Sequence, residues 1–251
     1  MIVSSGLTDI GKRRGLNEDT ILEDGNLFIV CDGMGGHKAG EVASALAVEV
    51  VARFVQRSAM DDEITWPYGF HVGSDLESNR IRTAVKLANR AVARESASSD
   101  EYTGMGTTLT AALVSENPPR ITYANVGDSR LYLLQKGTIE QLTRDDSWAN
   151  SAWGEDRDDS TVTKNMQHVL TKALGAQPDV DFEVQTRRLS DGDQLLLCSD
   201  GLTNMVTDLR ILEIVESCGA DVTAATRMLV DEANRNGGRD NISAIVIRYQ
   251  A

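Results

Sequence analysis

Aspartates adjoin apolar runs at several distant points of this sequence. Asp32 comes directly after Leu-Phe-Ile-Val-Cys, Asp200 comes one residue after Leu-Leu-Leu-Cys, and a glycine follows each of them. Asp128 follows another run, and Asp240 precedes one. An Asp-Gly pair after a strand is commonly only a turn. Strand ends can nevertheless meet at one edge of a folded protein, so these carboxylates are candidates for a shared site.

Converging carboxylates repel one another unless a cation neutralises them. Oxygen ligands without nearby cysteine or histidine favour magnesium or manganese over zinc or copper. Two such ions about 3.5–4 Å apart can lower the pKa of a shared water and present hydroxide in line with a phosphorus centre. The candidate ligands are the carboxylates of Asp32, Asp200 and Asp240, with Glu18, Asp19 and Asp128 in addition, and the carbonyl of Gly33.

A phosphate substrate also needs a positive clamp, and Arg14 is placed for that role. It precedes Glu18 and Asp19 by a few residues, and a guanidinium binds phosphate oxygens bidentately. The alternative is that this charged stretch is a solvated turn. After Asp32, Gly33 and two further glycines permit positive φ and close backbone approach.

The elements that position these residues can be predicted from periodicity. Apolar residues recur at helical spacing over 41–55 and 76–97. We predict further helices at 165–174, 208–217 and 221–236. The predicted strands are 2–8, 20–22, 27–31, 108–114, 121–126, 131–135, 139–142, 182–188, 194–199 and 242–248. Short connections predict an antiparallel meander over 108–142. Runs of strands between paired helices indicate an α+β layered sandwich.

Composition excludes several classes of protein. The chain has 251 residues, 4 prolines and a formal net charge of −13. We predict one domain over residues 1–251, because no linker-like stretch divides it. The negative charge opposes nonspecific nucleic-acid binding. The sequence contains no run of 18 apolar residues, so we predict no membrane-spanning helix.

The cysteines and histidines indicate no zinc site. Cys31, Cys198 and Cys218 are far apart, and His37, His71 and His168 are isolated from them and from one another. We interpret the cysteines as reduced residues of a cytoplasmic protein.

Several short motifs of the sequence resemble, in the same order, those of a known family. They are Arg14-Gly-Leu-Asn-Glu-Asp19, Asp32-Gly-Met-Gly-Gly-His37, Gly106-Thr-Thr108, Val126-Gly-Asp-Ser-Arg130, Leu170-Thr-Lys-Ala-Leu-Gly175, Cys198-Ser-Asp-Gly-Leu202 and Gly238-Arg-Asp-Asn241. Each motif alone is weak evidence for the resemblance. Together they occur in the order of the family and cover nearly the whole chain. The chain is similar to bacterial members of the metal-dependent type 2C (PPM) family of serine/threonine protein phosphatases.

The resemblance implies a four-layer α-β-β-α sandwich of two central antiparallel sheets flanked by helix pairs. It also implies a site for two Mn²⁺ or Mg²⁺ ions at one end. Asp32 would bridge both ions, and Asp200 and Asp240 would hold the first. The Gly33 carbonyl would join at the second ion.

Further roles follow from motif position. Glu18 would serve the second ion directly or through water, and Asp19 would act through water. Asp128 with Asp200 would form a third-metal position, and Arg14 would take the phosphate. The implied activity is hydrolysis of phosphoserine and phosphothreonine in phosphorylated proteins, by in-line attack of a metal-bridging water or hydroxide, with a Ser/Thr kinase and its substrates as partners.

Two regions depart from the family pattern. Met34 stands where eukaryotic relatives carry a histidine proposed as the general acid. The alternative acids in this chain are His37 and a metal-bound water. The flap, about residues 145–165, matches relatives only in position. The rival interpretation is a catalytically silent relative that acts as a regulatory partner-binding module, although no ligand position is lost.

Overall fold

The computed structural model describes residues 1–35, 39–61, 63–148 and 169–251. The strands in these ranges are β1 (Ile2–Asp9), β2 (Asp19–Asp24), β3 (Leu27–Met34), β4 (Gly106–Thr107), β5 (Leu109–Glu116), β6 (Pro119–Val126), β7 (Arg130–Gln135), β8 (Thr138–Gln141), β9 (Val184–Arg188), β10 (Gln194–Cys198) and β11 (Ile242–Tyr249). The helices are α1 (Ala39–Met60), α2 (Leu76–Ser96), α3 (Asp200–Thr203), α4 (Asp208–Cys218) and α5 (Val222–Arg235), with a 3₁₀ turn at Asp100–Tyr102.

The strands form two antiparallel sheets. Sheet A has the order β1-β11-β10-β7-β8. Sheet B has the order β2-β3-β5-β6-β9, and β4 pairs with β3 beside it. In sheet A, β11 lies between β1 and β10, so the first and last described strands are hydrogen-bonded neighbours.

Three apolar cores separate four layers. One lies between sheet B and the pair α1/α2, one between the two sheets, and one between sheet A and the pair α4/α5. Successive residues of a strand point to opposite faces. In β10, Leu195 and Leu197 therefore enter the core between the sheets, while Leu196 and Cys198 pack towards the helices. Burial on both faces explains why these strands are continuously apolar, and the expected α-β-β-α sandwich is confirmed.

The predicted meander over 108–142 is wrong. The β5–β6 pair belongs to sheet B, whereas β7 and β8 belong to sheet A, where β7 pairs with β10. The short connection Gly127–Ser129 crosses from one sheet to the other instead of closing a hairpin. It therefore carries Asp128 into the end of the sandwich, between the sheets.

The helix predicted over 165–174 is also not supported in its described part. Residues 165–168 lie outside the described ranges, and 169–174 are extended or turn-like. Leu170 forms a bridge with Ser147, and Leu174 forms one with Thr107. Because these residues hydrogen-bond to neighbouring segments, their backbone groups do not form helical bonds.

Candidate metal centre

Asp32 lies near the end of β3 and is fixed by its backbone. Its N–H donates to Thr108 Oγ1 at 2.9 Å, and its carbonyl accepts the Thr108 N–H at 2.8 Å. Asp19, which opens β2, lies opposite Asp32 in the ladder. Burial raises the pKa of Asp32 well above its usual range, and nearby carboxylates raise it further. These are Asp19, Asp200, Asp240 and Asp128.

The two Asp-Gly pairs owe their glycines to close packing. A Cβ on Gly33 would lie 2.0 Å from the carbonyl oxygen of Gly40, and one on Gly201 would lie 1.9 Å from that of Asn241. Any side chain would displace the backbone that crosses behind each aspartate. Of the two properties that a glycine offers here, Gly33 uses the close backbone approach and not a positive φ.

Asp128 and Asp200 approach from the sheet A side. Burial, followed by the charges of Asp200 and Asp145, raises the pKa of Asp128 to about 7. Asp200 begins α3, directly after the loop that leaves β10, and its Oδ2 accepts from Asn204 Nδ2 at 3.0 Å. The sequence placed these aspartates at strand ends, and the structure brings them towards Asp32.

Arg14, Glu18 and Asp240 form the more exposed rim. Arg14 Nη2 donates to Asp240 Oδ2 at 2.7 Å, with the arginine side chain 48% exposed. Burial raises the pKa of Glu18, and the positive charge of Arg14 opposes that rise. The Glu18 carboxylate lies beside Gly40 in the first turn of α1, and the backbone amide there lowers its pKa. Helix N-terminal amides stabilise such a negative charge.

The donor set suits a hard divalent cation. Glu18 Oε1 and Asp19 Oδ1 are buried without a hydrogen-bond partner among the described residues. An unpartnered buried carboxylate oxygen is costly, and a cation bound there would satisfy it. Among the described residues, no three acidic, histidine or cysteine side chains are placed closely enough to hold a metal ion as they stand. The carboxylates therefore lie near one another without forming a complete set of metal ligands. One oxygen of Asp240 accepts a hydrogen bond from Arg14.

Asn241 is a site residue to which the sequence assigned no role. Its Nδ2 donates to the carbonyls of Ile10 and Leu16 at 3.0 and 2.9 Å, and its Oδ1 accepts the Glu18 N–H at 2.8 Å. It therefore fastens the loop that carries Arg14 and Glu18 to the start of β11. The feature of the sequence that could have identified Asn241 is its position next to Asp240, because an amide side chain can both donate and accept hydrogen bonds.

Some expected residues fall outside the described ranges. His37, the alternative general acid, and flap residues 149–165 are among them. The base of the flap is described: Trp148 N–H donates to the Val169 carbonyl at 2.8 Å, and Asp146 N–H donates to the Gly127 carbonyl at 2.9 Å. The flap base therefore contacts the turn that carries Asp128.

Comparisons with known proteins agree with this architecture. Residues 13–234 match the protein phosphatase 2C family. The chain is 34% identical over 251 residues to the serine/threonine phosphatase stp of Listeria monocytogenes, covering 96% of this chain and 93% of that protein. It is 34% identical over 241 residues to the serine/threonine protein phosphatase PstP of Mycobacterium tuberculosis, covering 95% of this chain. The chain spans only 43% of the length of that relative.

A solved structure gives the same result in three dimensions. The catalytic domain of PstP in complex with two manganese ions superposes with a TM-score of 0.82 at 33% identity, covering 100% of this chain and 99% of that one. Sequence and fold thus agree over nearly the full length of the chain, and the chain belongs to the protein phosphatase 2C family.

Proposed function

We propose that this chain is a metal-dependent protein phosphatase that hydrolyses phosphoserine and phosphothreonine. The observation that carries the proposal is the group of buried carboxylates around Asp32, with Arg14 at its rim. A buried acidic cluster of this kind calls for cations, and an arginine beside it suits an anionic substrate. The relatives are named serine/threonine phosphatases, and one is solved with two manganese ions.

Two Mn²⁺ or Mg²⁺ ions fit the oxygen donors, and Asp128 with Asp200 would hold a third if one binds. Asp32 would hold both principal ions, Asp200 and Asp240 the first, and the Gly33 carbonyl with Glu18 the second. Asp19 would contribute through water. When bound, such ions supply positive charge for the phosphoryl group and lower the pKa of a coordinated water.

The protein's own groups bind and orient the substrate phosphate. Arg14 is half exposed, and among the described residues its side chain is anchored only at Asp240. Its guanidinium can therefore turn from Asp240 to the phosphate oxygens and hold them in a fixed orientation. The departing serine or threonine oxygen takes a proton either from His37 or from a water at the metal site, and these two donors remain alternatives.

The proposal also covers the extent of the domain, its partners and its cellular compartment. Residues 1–251 would act as one phosphatase domain, with 145–165 as a flap beside the substrate. The partners are phosphorylated proteins and a Ser/Thr kinase that supplies the phosphate group. Within the described ranges no helix has the length and apolarity to span a membrane. Cys31, Cys198 and Cys218 are free thiols, which suits the reducing cytoplasm.

The decisive test compares Asp200→Asn with Asp231→Asn. Both substitutions remove one carboxylate charge, but Asp231 is exposed on α5, and Asp200 belongs to the acidic cluster. Metal-stripped protein is assayed on a phosphothreonine peptide during titration with Mn²⁺ or Mg²⁺. We expect turnover only with metal, normal turnover for Asp231→Asn, and a loss of about 100-fold or more for Asp200→Asn.

The contrary outcome is equally clear. A folded wild-type protein that binds Mn²⁺ but leaves the peptide uncut would overturn the enzymatic proposal. The catalytically silent, partner-binding interpretation would then replace it.

A further inference from the structure

Asp19 is held by buried hydroxyl groups from the opposite sheet. Its side chain is 7% exposed, and its Oδ2 accepts from Ser199 Oγ at 2.8 Å and from Ser243 Oγ at 2.6 Å. Ser199 follows β10 and Ser243 lies in β11, both fully buried in sheet A, whereas Asp19 opens β2 of sheet B. These bonds therefore join the two sheets at the end where the carboxylates meet.

The surrounding contacts fix the direction of each hydroxyl. Ser199 Oγ accepts the Ser243 N–H at 3.0 Å. A serine hydroxyl has one hydrogen, and that of Ser199 is then directed at Asp19. Ser199 N–H in turn donates to the Ser243 carbonyl at 3.1 Å, which locks the two serines to each other.

A second chain of hydrogen bonds, through Asn17, Thr8 and Ser243, leads to the same oxygen of Asp19. Asn17 Nδ2, which can only donate, bonds Thr8 Oγ1 at 2.9 Å, and Thr8 Oγ1 lies 2.8 Å from Ser243 Oγ. The Thr8 hydrogen is therefore free for Ser243, and the Ser243 hydrogen for Asp19. Asn17 Oδ1 accepts the Asp19 N–H at 3.2 Å, which closes a ring from the Asp19 backbone to its side chain.

The two serine hydroxyls both donate to one oxygen of Asp19, Oδ2. The other oxygen, Oδ1, is buried and has no hydrogen-bond partner among the residues that the structure describes. A carboxylate held by one oxygen presents the second in a fixed direction. Outer groups that orient a ligand in this way commonly change metal affinity 10–100-fold when they are removed.

We propose that Ser199 and Ser243 are positioning residues that bind Oδ2 of Asp19 and so present its Oδ1 to a hydrated divalent cation. This inference rests on the metal site of the proposed function. It assigns to two strand-borne hydroxyls, and to Thr8 and Asn17 behind them, a part in cation binding.

The test is calorimetric titration of metal-stripped protein with Mn²⁺. The variants are Ser199→Ala and Ser243→Ala, with Ser58→Ala as the matched control. Ser58 is a buried serine of α1 whose hydroxyl, in the part of the chain that the structure describes, bonds only to the Val55 carbonyl. Urea unfolding without metal is measured in parallel, because a purely structural role would lower stability and leave Mn²⁺ affinity unchanged.

We expect Mn²⁺ to bind about 10–100-fold more weakly at one step in both variants and normally in Ser58→Ala. Wild-type affinity in both folded alanine variants would overturn the inference. Thr8→Val carries the test if an alanine variant does not fold, with a smaller loss of affinity in the same direction expected and no loss contradicting it. Failure of the wild type to bind Mn²⁺ would instead refute the metal site itself.

Discussion

At the scale of single residues, Arg14 illustrates a group with two partners. It bonds Asp240 in the described structure and is our candidate for binding phosphate. The two tasks are compatible because the ion pair is well exposed, and exposed pairs contribute only about 0–1 kcal/mol to stability. Release of Asp240 therefore costs little.

This view predicts opposite effects of Arg14→Ala on substrate and on cation. Loss of a charge-assisted contact of about 1.5–3 kcal/mol should lower kcat/KM for a phosphopeptide about 10–100-fold. Mn²⁺ should bind at least as tightly as in the wild type, because Asp240 loses a competing positive partner. Steady-state kinetics and calorimetric titration measure the two effects.

Arg13→Ala is the control for that experiment. Arg13 is also exposed and has no ion pair or side-chain hydrogen bond among the described contacts. Both kinetics and Mn²⁺ affinity should stay at the wild-type level. Weaker Mn²⁺ binding in Arg14→Ala would show that the arginine supports the acidic cluster and does not compete for it.

At the scale of elements, Asn241 joins β11 to the loop between β1 and β2. It is 4% exposed, and its side chain satisfies backbone groups of Ile10, Leu16 and Glu18. Removing it leaves those groups unpaired, at about 1–3 kcal/mol for a buried group. The same change frees the loop that places Arg14 and Glu18.

We therefore expect Asn241→Ala to lower the free energy of unfolding by about 1–3 kcal/mol and to impair metal-dependent turnover. Asn236→Ala is the comparison, since Asn236 is exposed and donates to one carbonyl, that of Met205. Urea unfolding and peptide hydrolysis are measured for both. Equal effects of the two changes would show that the loop does not depend on Asn241.

The sequence predicted the elements better than their pairing. Period and apolar content located most strands and helices because each is a local property of the chain. The turn at Gly127–Ser129 was misassigned as part of a meander, since a three-residue connection can close a hairpin or cross between two sheets. Which one occurs depends on the partner strand β10, which lies about 60 residues further along the chain.

Prediction of the site residues was limited in the same way, because contacts between distant parts of the chain cannot be read from the sequence. Its aspartates were predicted because a charged residue at the end of an apolar run is conspicuous. Ser199 and Ser243 were not, because small hydroxyl residues are unremarkable beside buried strands. Their importance depends on contact with Asp19, which is 180 and 224 positions away in sequence.

At the scale of the whole molecule, the buried carboxylates link stability to pH. Burial raises the pKa of Asp128 to about 7 and that of Asp19 to about 6, and it raises that of Asp32 as well. In the unfolded chain these groups titrate near 3.9. Between about pH 4 and 7 the folded, metal-free protein therefore binds more protons than the unfolded chain, so its stability falls as pH rises.

We expect the Tm of metal-free protein to increase as the pH is lowered from 8 towards 5. Saturating Mn²⁺ should weaken or reverse this trend, because the cation binds the ionised carboxylates. Differential scanning calorimetry at several pH values tests both statements. Asp128→Asn should flatten the metal-free profile, and a profile as steep as that of the wild type would contradict the assignment to this cluster.

The pairing of β1 with β11 has a consequence for biosynthesis. Arg14, Glu18 and Asp19 leave the ribosome well before Asp240 and its supporting strand β11, which follow all the other described elements of the domain. Until then β1 has no partner in sheet A, and the acidic loop has no Asn241 to hold it. A nascent chain can form the α1/α2 side of the sandwich beforehand. The proposed activity should therefore appear only when translation has passed β11.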